Sequence, residues 1–399
     1  MRSVTLLLAV AVAAVVAGPA GAGPGLQRGL EVRLARALAV PHVRQDESGA
    51  VVLDLETGQP LFVRNGSSSL APASNEKLAV TFGVLTALGP EYRIETDVLG
   101  EGAQDGSVWQ GDLVLKGYGD PTLSTADLRS LARQVRADGI TRVTGGVRGD
   151  ATWFDTRRTA PGWKPSFYIF ESPPLSALAV DRSGAADPAL AAARLFRAAL
   201  VSAGVAVTGA ARLGTADDQA VPLGSVLSRP LASIVSFMDH ESDNYTAELL
   251  LKQLGAQQAD VGTTAAGAVA LKGLLADAGV PLDGVRIVDG SGLSQLDRLT
   301  PNALVALLQV MWKDVELRPL VMSSLPLAGV NGTLAHRMRS GPAHAHVVAK
   351  TGTTSQASAL SGFVRRRYAF AVLQNGHPVS SWWARIAQDR FATVLASLP

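Results

Sequence analysis

Cysteine is missing from all 399 residues. Its absence excludes a disulfide framework, a cysteine nucleophile, a thiolate metal site and a lipid-modified cysteine behind a leader. Charge of one sign is scarce as well. The 36 Lys and Arg nearly balance the 34 Asp and Glu, leaving +2, and no lysine-arginine run marks a nucleic-acid binder. The densest basic cluster, Arg365-Arg366-Arg367, lies between two apolar segments and reads as a solvated hairpin tip. Long apolar runs are limited to one, Val4 through Val16, between Arg2 and the small residues Ala20-Gly21-Ala22. A run of about a dozen residues is shorter than the ~20 needed to span a bilayer. Residues 1–22 therefore read as a signal peptide, and the expectation is an exported protein of the periplasmic or cell-wall space, soluble after cleavage. Hydrophobic residues make up 47% of the chain, ample for a packed core and suggestive of two domains.

What is present falls into three textures. First, Leu26, Leu30, Leu34 and Leu38 recur every fourth residue, as in an amphipathic helix. A hairpin follows over Val51–Leu55 and Leu61–Val63, and a helix is predicted from Ser74 to Leu88, ended by Gly89-Pro90. Second, residues 90–225 alternate apolar and polar positions and are punctuated by turns. They carry two helices, about Leu128–Ala137 and Pro188–Ala203, and read as a β-rich domain inserted into the first. Aromatics cluster there at Trp163, Phe167, Tyr168 and Phe170, and are expected in the core of that domain, with a groove lined for glycan as the alternative. Third, helices dominate from Leu231 onward. The chain then closes with three strands, Val347–Gly352, Leu360–Arg365 and Tyr368–Leu373, and a helix from Trp382. The expected fold is α/β (α+β). Residues 23–89 and 226–399 form one domain, an antiparallel sheet with helices on it, and 90–225 form the insert.

Three short strings carry the chemistry: Ser74-Asn75-Glu76-Lys77, Ser242-Asp243-Asn244 and Lys350-Thr351-Gly352-Thr353. Each alone has a bland explanation, as helix cap, loop or strand end. Their order, helix then loop then strand in an exported chain, does not. A serine hydroxyl becomes nucleophilic only when a base within hydrogen-bond reach takes its proton. Lys77 stands one helical turn from Ser74, on the same face. An ordinary lysine is protonated at neutral pH, so a second cation is expected to disfavour its charge, with Lys350 the candidate. Ser74 near a helix start also sits where backbone N–H groups converge on developing negative charge.

This set resembles that of class A β-lactamases and penicillin-binding proteins. The chain as a whole resembles the low-molecular-mass penicillin-binding proteins of the D-alanyl-D-alanine carboxypeptidase type with a large inserted domain, peptidase family S13. The resemblance extends to Gly117-Tyr118-Gly119-Asp120-Pro121-Thr122-Leu123, Asp289-Gly290-Ser291-Gly292-Leu293-Ser294 and Ala328-Gly329-Val330-Asn331-Gly332-Thr333-Leu334. It implies that Ser74 attacks the carbonyl of the penultimate D-alanine of a peptidoglycan stem peptide, with Lys77 as base. Ser242 and Lys350 would relay a proton to the leaving D-alanine. Asn244 would hold the substrate amide, and the Thr351 and Thr353 hydroxyls, joined by Gly352, the terminal carboxylate. The Ser74 and Thr353 N–H groups would form the oxyanion hole, and β-lactams would acylate the same serine. No cofactor or metal is implied. About 160 residues separate Lys77 from Ser242, short for such an insert, which implies that a domain nested within it is trimmed or lost.

Other candidates read as structural. Ser291 fails the nucleophile-elbow pattern because position 289 is Asp289, and it is expected in a glycine-rich turn near the site. His344 and His346 lack a third ligand and are expected to face solvent. The resemblance leaves room for a D,D-endopeptidase activity on crosslinks beside the carboxypeptidase, and two rival functions stay open: a serine β-lactamase, and an inactive peptidoglycan-binding protein that keeps the fold.

Overall fold

The computed structural model describes residues 24–399, with side chains from residue 28 onward; the leader-like segment 1–22 lies outside the described residues. Helix α1 (Pro24–Leu38) precedes the hairpin β1 (Ser48–Asp54) and β2 (Pro60–Arg64), then α2 (Lys77–Leu88). Gly89 ends α2 with φ 82° and returns its N–H to the Leu85 carbonyl, a backbone angle that a residue with a Cβ avoids. The next stretch holds β3 (Glu95–Asp105), β4 (Val108–Gly117), α3 (Thr125–Ala137), β5 (Arg142–Val143) and β6 (Val147–Asp150). After it come α4 (Pro188–Ser202), β7 (Ala206–Val207), β8 (Ala211–Leu213) and β9 (Val221–Leu227). Helices α5 (Leu231–Glu241), α6 (Asn244–Ala259), α7 (Thr264–Asp277), α8 (Pro301–Lys313) and α9 (Leu317–Ser324) follow. The chain ends in β10 (Val347–Thr353), β11 (Ala357–Val364), β12 (Tyr368–Asn375) and α10 (Ser381–Ala396).

The first and last segments share one antiparallel five-stranded sheet, ordered β10-β11-β12-β1-β2. Every residue of β11 is buried. The alternation of strand side chains explains how both faces find cover. Val52, Leu360, Val364, Phe370 and Val372 point to one side and pack with Leu34, Phe391 and Leu395 of α1 and α10. Val51, Ala359, Phe363, Ala371 and Leu373 point to the other and join the helical layer of Leu78, Val84, Leu250, Leu254, Leu304 and Leu308. The result is three layers with the sheet in the middle.

The intervening segment builds its own sheet and core, around Leu113, Leu115, Leu131, Val147, Phe196 and Leu200. It is less purely β than its alternating sequence suggests. Strand β4 pairs parallel with β5 and β6, β5 with β7, and β6 with β8. Parallel neighbours require a crossover, and α3 and α4 supply it. Their capping is strong: Ser124 and Asp127 form a reciprocal capping box at α3, and Asp187 caps α4 with Pro188 in its first turn. Among the described residues the insert has this one sheet and no second one nested inside it.

Phe370 is fully buried between sheet and α10, its ring 6.4 Å from that of Phe391. Phe370→Ala should lower unfolding free energy by about 3–5 kcal/mol, read as a shifted denaturant midpoint with an unchanged slope.

Candidate active site

The serine lies at the β10 edge of the five-stranded sheet. Residues Ala73–Glu76 form a single 3-10 turn leading into α2, so Ser74 sits just outside the α-helix and Lys77 opens it. Ala73 takes a left-handed φ of 47°. Two glycines make room for this turn. A Cβ on Gly352 of β10 would stand 3.0 Å from the Ala73 Cβ, the Pro72 carbonyl and the Ser74 nitrogen alike, and one on Gly292 would collide with the Ala73 carbonyl. Asn75 Nδ2 then donates to the Lys350 carbonyl at 3.1 Å, tying the turn to the strand.

Ser242 breaks the chain between two helices. It ends α5 in the left-handed region (φ 59°, ψ 39°), and the next residue, Asp243, caps α6 by accepting from the Thr246 N–H at 2.8 Å. Asn244 is thereby the first residue of α6, pointing back at α2.

The two lysines organise what remains. Lys77 is fully buried, and its Nζ lies 2.9 Å from Ser74 Oγ, 2.8 Å from Asn244 Oδ1 and 2.6 Å from the Ser291 carbonyl. Lys350, equally buried, donates to Ser242 Oγ at 2.7 Å and to the Thr351 carbonyl at 2.9 Å. Thr351 Oγ1 donates to Thr333 Oγ1 at 2.8 Å, and Thr353 Oγ1 accepts from Arg385 at 3.4 Å. All eight residues singled out in the sequence meet in this region. Among the described residues they form two hydrogen-bonded sets, Ser74–Lys77–Asn244 and Ser242–Lys350, with no side-chain bond between the sets.

Burial lowers the Lys77 ammonium to about 8, against the opposing charges of Asp289, Asp243, Glu248 and Asp239. Loss of water is the largest cause, ahead of any neighbouring charge. The second cation expected from the sequence is there too: Lys350 is held at about 7 first by burial, then by repulsion from Lys77, and that repulsion is mutual.

A second group of side chains, to which the sequence assigned no role of its own, holds this arrangement from behind. Glu248 Oε1 accepts from the backbone N–H of Gly290 (2.9 Å) and of Ser291 (3.0 Å). Asp289 accepts from Ser291 Oγ, from the N–H groups of Gly292 and Ser294, and from Trp163 Nε1 at 2.7 Å. The loop is thus clamped so that the Ser291 carbonyl faces Lys77. The Ser291 hydroxyl serves the turn, and its carbonyl accepts from Lys77. The signal for it was the Asp289-Gly290-Ser291-Gly292 string, whose acid and glycines shape a tight turn. Glu76 is buried beside this group with neither carboxyl oxygen partnered. Burial and the charges of Asp289 and Glu248 push it well above its ordinary value, against the opposing charge of Lys77, and so favour its neutral form. Glu248 is raised to about 8, chiefly by burial.

The aromatics expected in the core of the insert are elsewhere. Trp163 is committed to Asp289, and Phe170 is 88% exposed. The reason is that the long connection between β6 and α4 leaves its sheet and runs over the site. There the Glu171 carbonyl accepts from Asn244 Nδ2 at 3.0 Å, and Lys164 Nζ donates to Ser355 Oγ at 3.2 Å. His344 and His346 are exposed.

Comparison with known proteins assigns the family. The D-Ala-D-Ala carboxypeptidase 3 (S13) family matches residues 30–186 and 182–398. The chain belongs to that family. It is 34% identical to a D-alanyl-D-alanine carboxypeptidase of Actinomadura sp. (strain R39), over 88% of this chain and 81% of that protein. It is 32% identical to the carboxypeptidase DacB of Mycolicibacterium smegmatis, over 95% and 88%. Penicillin binding protein 4 of Haemophilus influenzae shares the fold of this S13 chain, with a TM-score of 0.81, 22% identity and coverage of 91% of this chain and 98% of that one. Among the described residues no helix is long and apolar enough to cross a membrane.

Two outcomes follow for this S13 site. Asp289→Asn removes the largest opposing charge on Lys77 and turns an N–H toward groups that donate to Asp289. The acid limb of the acylation profile should therefore move to lower pH while the maximal rate falls, measured with a fluorescent penicillin between pH 5 and 9. Glu76 binds a proton in the folded state that the unfolded chain releases above about 4.5. Its contribution to stability is present below that pH and lost as pH rises. Glu76→Gln should lessen the fall in urea midpoint between pH 5 and pH 7.5.

Proposed function

We propose that Ser74 carries out the reaction of the S13 family, serine-type D-Ala-D-Ala carboxypeptidase chemistry on peptidoglycan stem peptides, through an acyl-enzyme formed with Lys77 as base. The observation that carries this reading is the environment of the Lys77 amine. A neutral amine has two N–H bonds and one lone pair. With Asn244 Oδ1 and the Ser291 carbonyl accepting both N–H bonds, the lone pair is left facing Ser74 Oγ at 2.9 Å. Desolvation makes the neutral form accessible near physiological pH, which a solvated lysine at its ordinary value is not.

In this reading the Ser74 proton passes to Lys77 as Oγ bonds to the carbonyl carbon of the penultimate D-alanine. The oxyanion is held by the N–H groups of Ser74 and Thr353. Ser242, bonded to Lys350, supplies the proton that lets the C–N bond break and D-alanine leave. Water then hydrolyses the ester. Asn244 holds the substrate amide, and the hydroxyls of Thr351 and Thr353, on either side of Gly352, take the terminal carboxylate, with Arg385 adding positive charge at that end. A β-lactam enters the same route, and its acyl-enzyme persists. Residues 1–22 direct export and are then removed, delivering the protein to the periplasmic or cell-wall space.

Incubation with benzylpenicillin should add one penicillin mass to the protein, on the peptide containing Ser74, with nothing added in Ser74→Ala. An unmodified wild-type protein would favour the inactive peptidoglycan-binding alternative. Fast nitrocefin turnover without D-alanine release from a stem-peptide analogue would favour a β-lactamase. Lys77→Arg should abolish acylation, at least ~10³-fold, because a guanidinium stays protonated. In the wild type the acylation rate should rise as pH approaches 8 and level off above it; a rate independent of pH between 6 and 9 would remove Lys77 as the base.

A further inference from the structure

Against the packed α1 and α10 lies an open groove of about 740 Å³, part of no site described above. Four arginines line it from three separate segments: Arg33 and Arg36 on α1, Arg390 on α10, and Arg339 on the loop before β10. All four are exposed. The one carboxylate in the lining, Asp389, is held by Arg337 at 2.7 Å. Among the described residues none of the four arginines forms an ion pair, and residues 1–27 contain no Asp or Glu that could provide one. Four guanidiniums against one already paired carboxylate exceed the net +2 of the entire chain, so the rest of the molecule is close to neutral or acidic. Such a concentration of like charge is unfavourable unless an anion offsets it.

We propose that this groove is a binding site for a linear phosphate polymer, separate from the catalytic serine and independent of the reading of that site. Side-chain chemistry decides between a chain and a membrane. The groove is wide and open, and its apolar lining is Ala37, Met338 and Val394, with none of the aromatic side chains that peripheral proteins bury at the headgroup level. Geometry decides between phosphate and carboxylate. A carboxylate offers two oxygens in one plane, matched by one guanidinium fork, whereas the tetrahedral oxygens of phosphate accept from forks arriving in several directions. Arg33 and Arg36 stand one helical turn apart and share the groove with arginines from two other segments. A polymer with a fixed charge on each repeat satisfies several of them at once, which a single free phosphate cannot.

The test uses the full processed protein and long-chain inorganic polyphosphate, followed by fluorescence anisotropy across a salt series. Wild type should bind with a log–log salt slope of about −3, as four phosphate contacts require. The quadruple variant R33Q/R36Q/R339Q/R390Q should bind at least tenfold more weakly with a slope near zero, while keeping wild-type acylation by penicillin as proof of its fold. The single variants R36Q and R390Q should each reduce the slope by about 0.7, which keeps the test decisive if the quadruple variant folds poorly. Absent binding, undiminished binding by the variants, or equal or tighter binding to polyglutamate or to phosphatidylglycerol vesicles would overturn the assignment.

Discussion

The chemistry proposed for this protein rests on keeping one amine dry. Lys77 has no contact with solvent, and a buried ammonium is costly unless its three N–H bonds are met. Here they meet three fixed partners, one of which is the serine hydroxyl itself. The same enclosure that penalises the charged lysine brings its neutral form within reach near physiological pH, as the proposed base requires. Much of the surrounding architecture serves that enclosure. The serine turn is pressed onto β10 at Gly352, α6 begins at Asn244 to supply one acceptor, and the Asp289–Ser294 loop supplies another.

Such an enclosure needs support, because a carbonyl positions an amine only if its own peptide unit cannot turn. Glu248 and Asp289 provide that constraint through backbone N–H groups of the loop. They also concentrate acidic side chains behind a lysine. Burial raises Glu76 and Glu248 toward neutrality, so the lysine is not confronted by a full set of negative charges. Stability and reactivity pull in opposite directions here: unpartnered buried groups weaken the fold, and they are what bring a lysine and several carboxyls within range of neutral pH. Through Trp163 and Glu171 the inserted segment reaches this network directly, so the insert is part of the site's wall as well as a separate sheet.

Much of this was legible in the chain itself, and the failures have physical causes. The Ser74–Lys77 pair, the break at Ser242-Asp243-Asn244 and the strand at Lys350 depend on local spacing and capping, which a linear reading sees. The aromatics around Trp163 were misplaced because hydrophobicity predicts burial without saying against what. A tryptophan with an N–H to satisfy found Asp289, 126 positions away. Parallel pairing in the insert escaped notice because strand direction is settled by crossovers, while alternation along a strand is identical in either sense. The sequence named Lys350 as the cation opposing Lys77 but could not rank that repulsion against burial, since solvent exclusion is invisible in a string of letters.

From sequence alone came the identity and order of the groups proposed to react, the single turn that brings Ser74 and Lys77 together, and the resemblance to the family. Only tertiary structure decided how far the two lysines are dehydrated, which carbonyl meets Lys77, and where the arginines of α1 and α10 converge. Those properties arise from contacts such as Asn75 to Lys350, 275 residues apart. Pairings at that separation are paid for by the whole core, and no local preference encodes them.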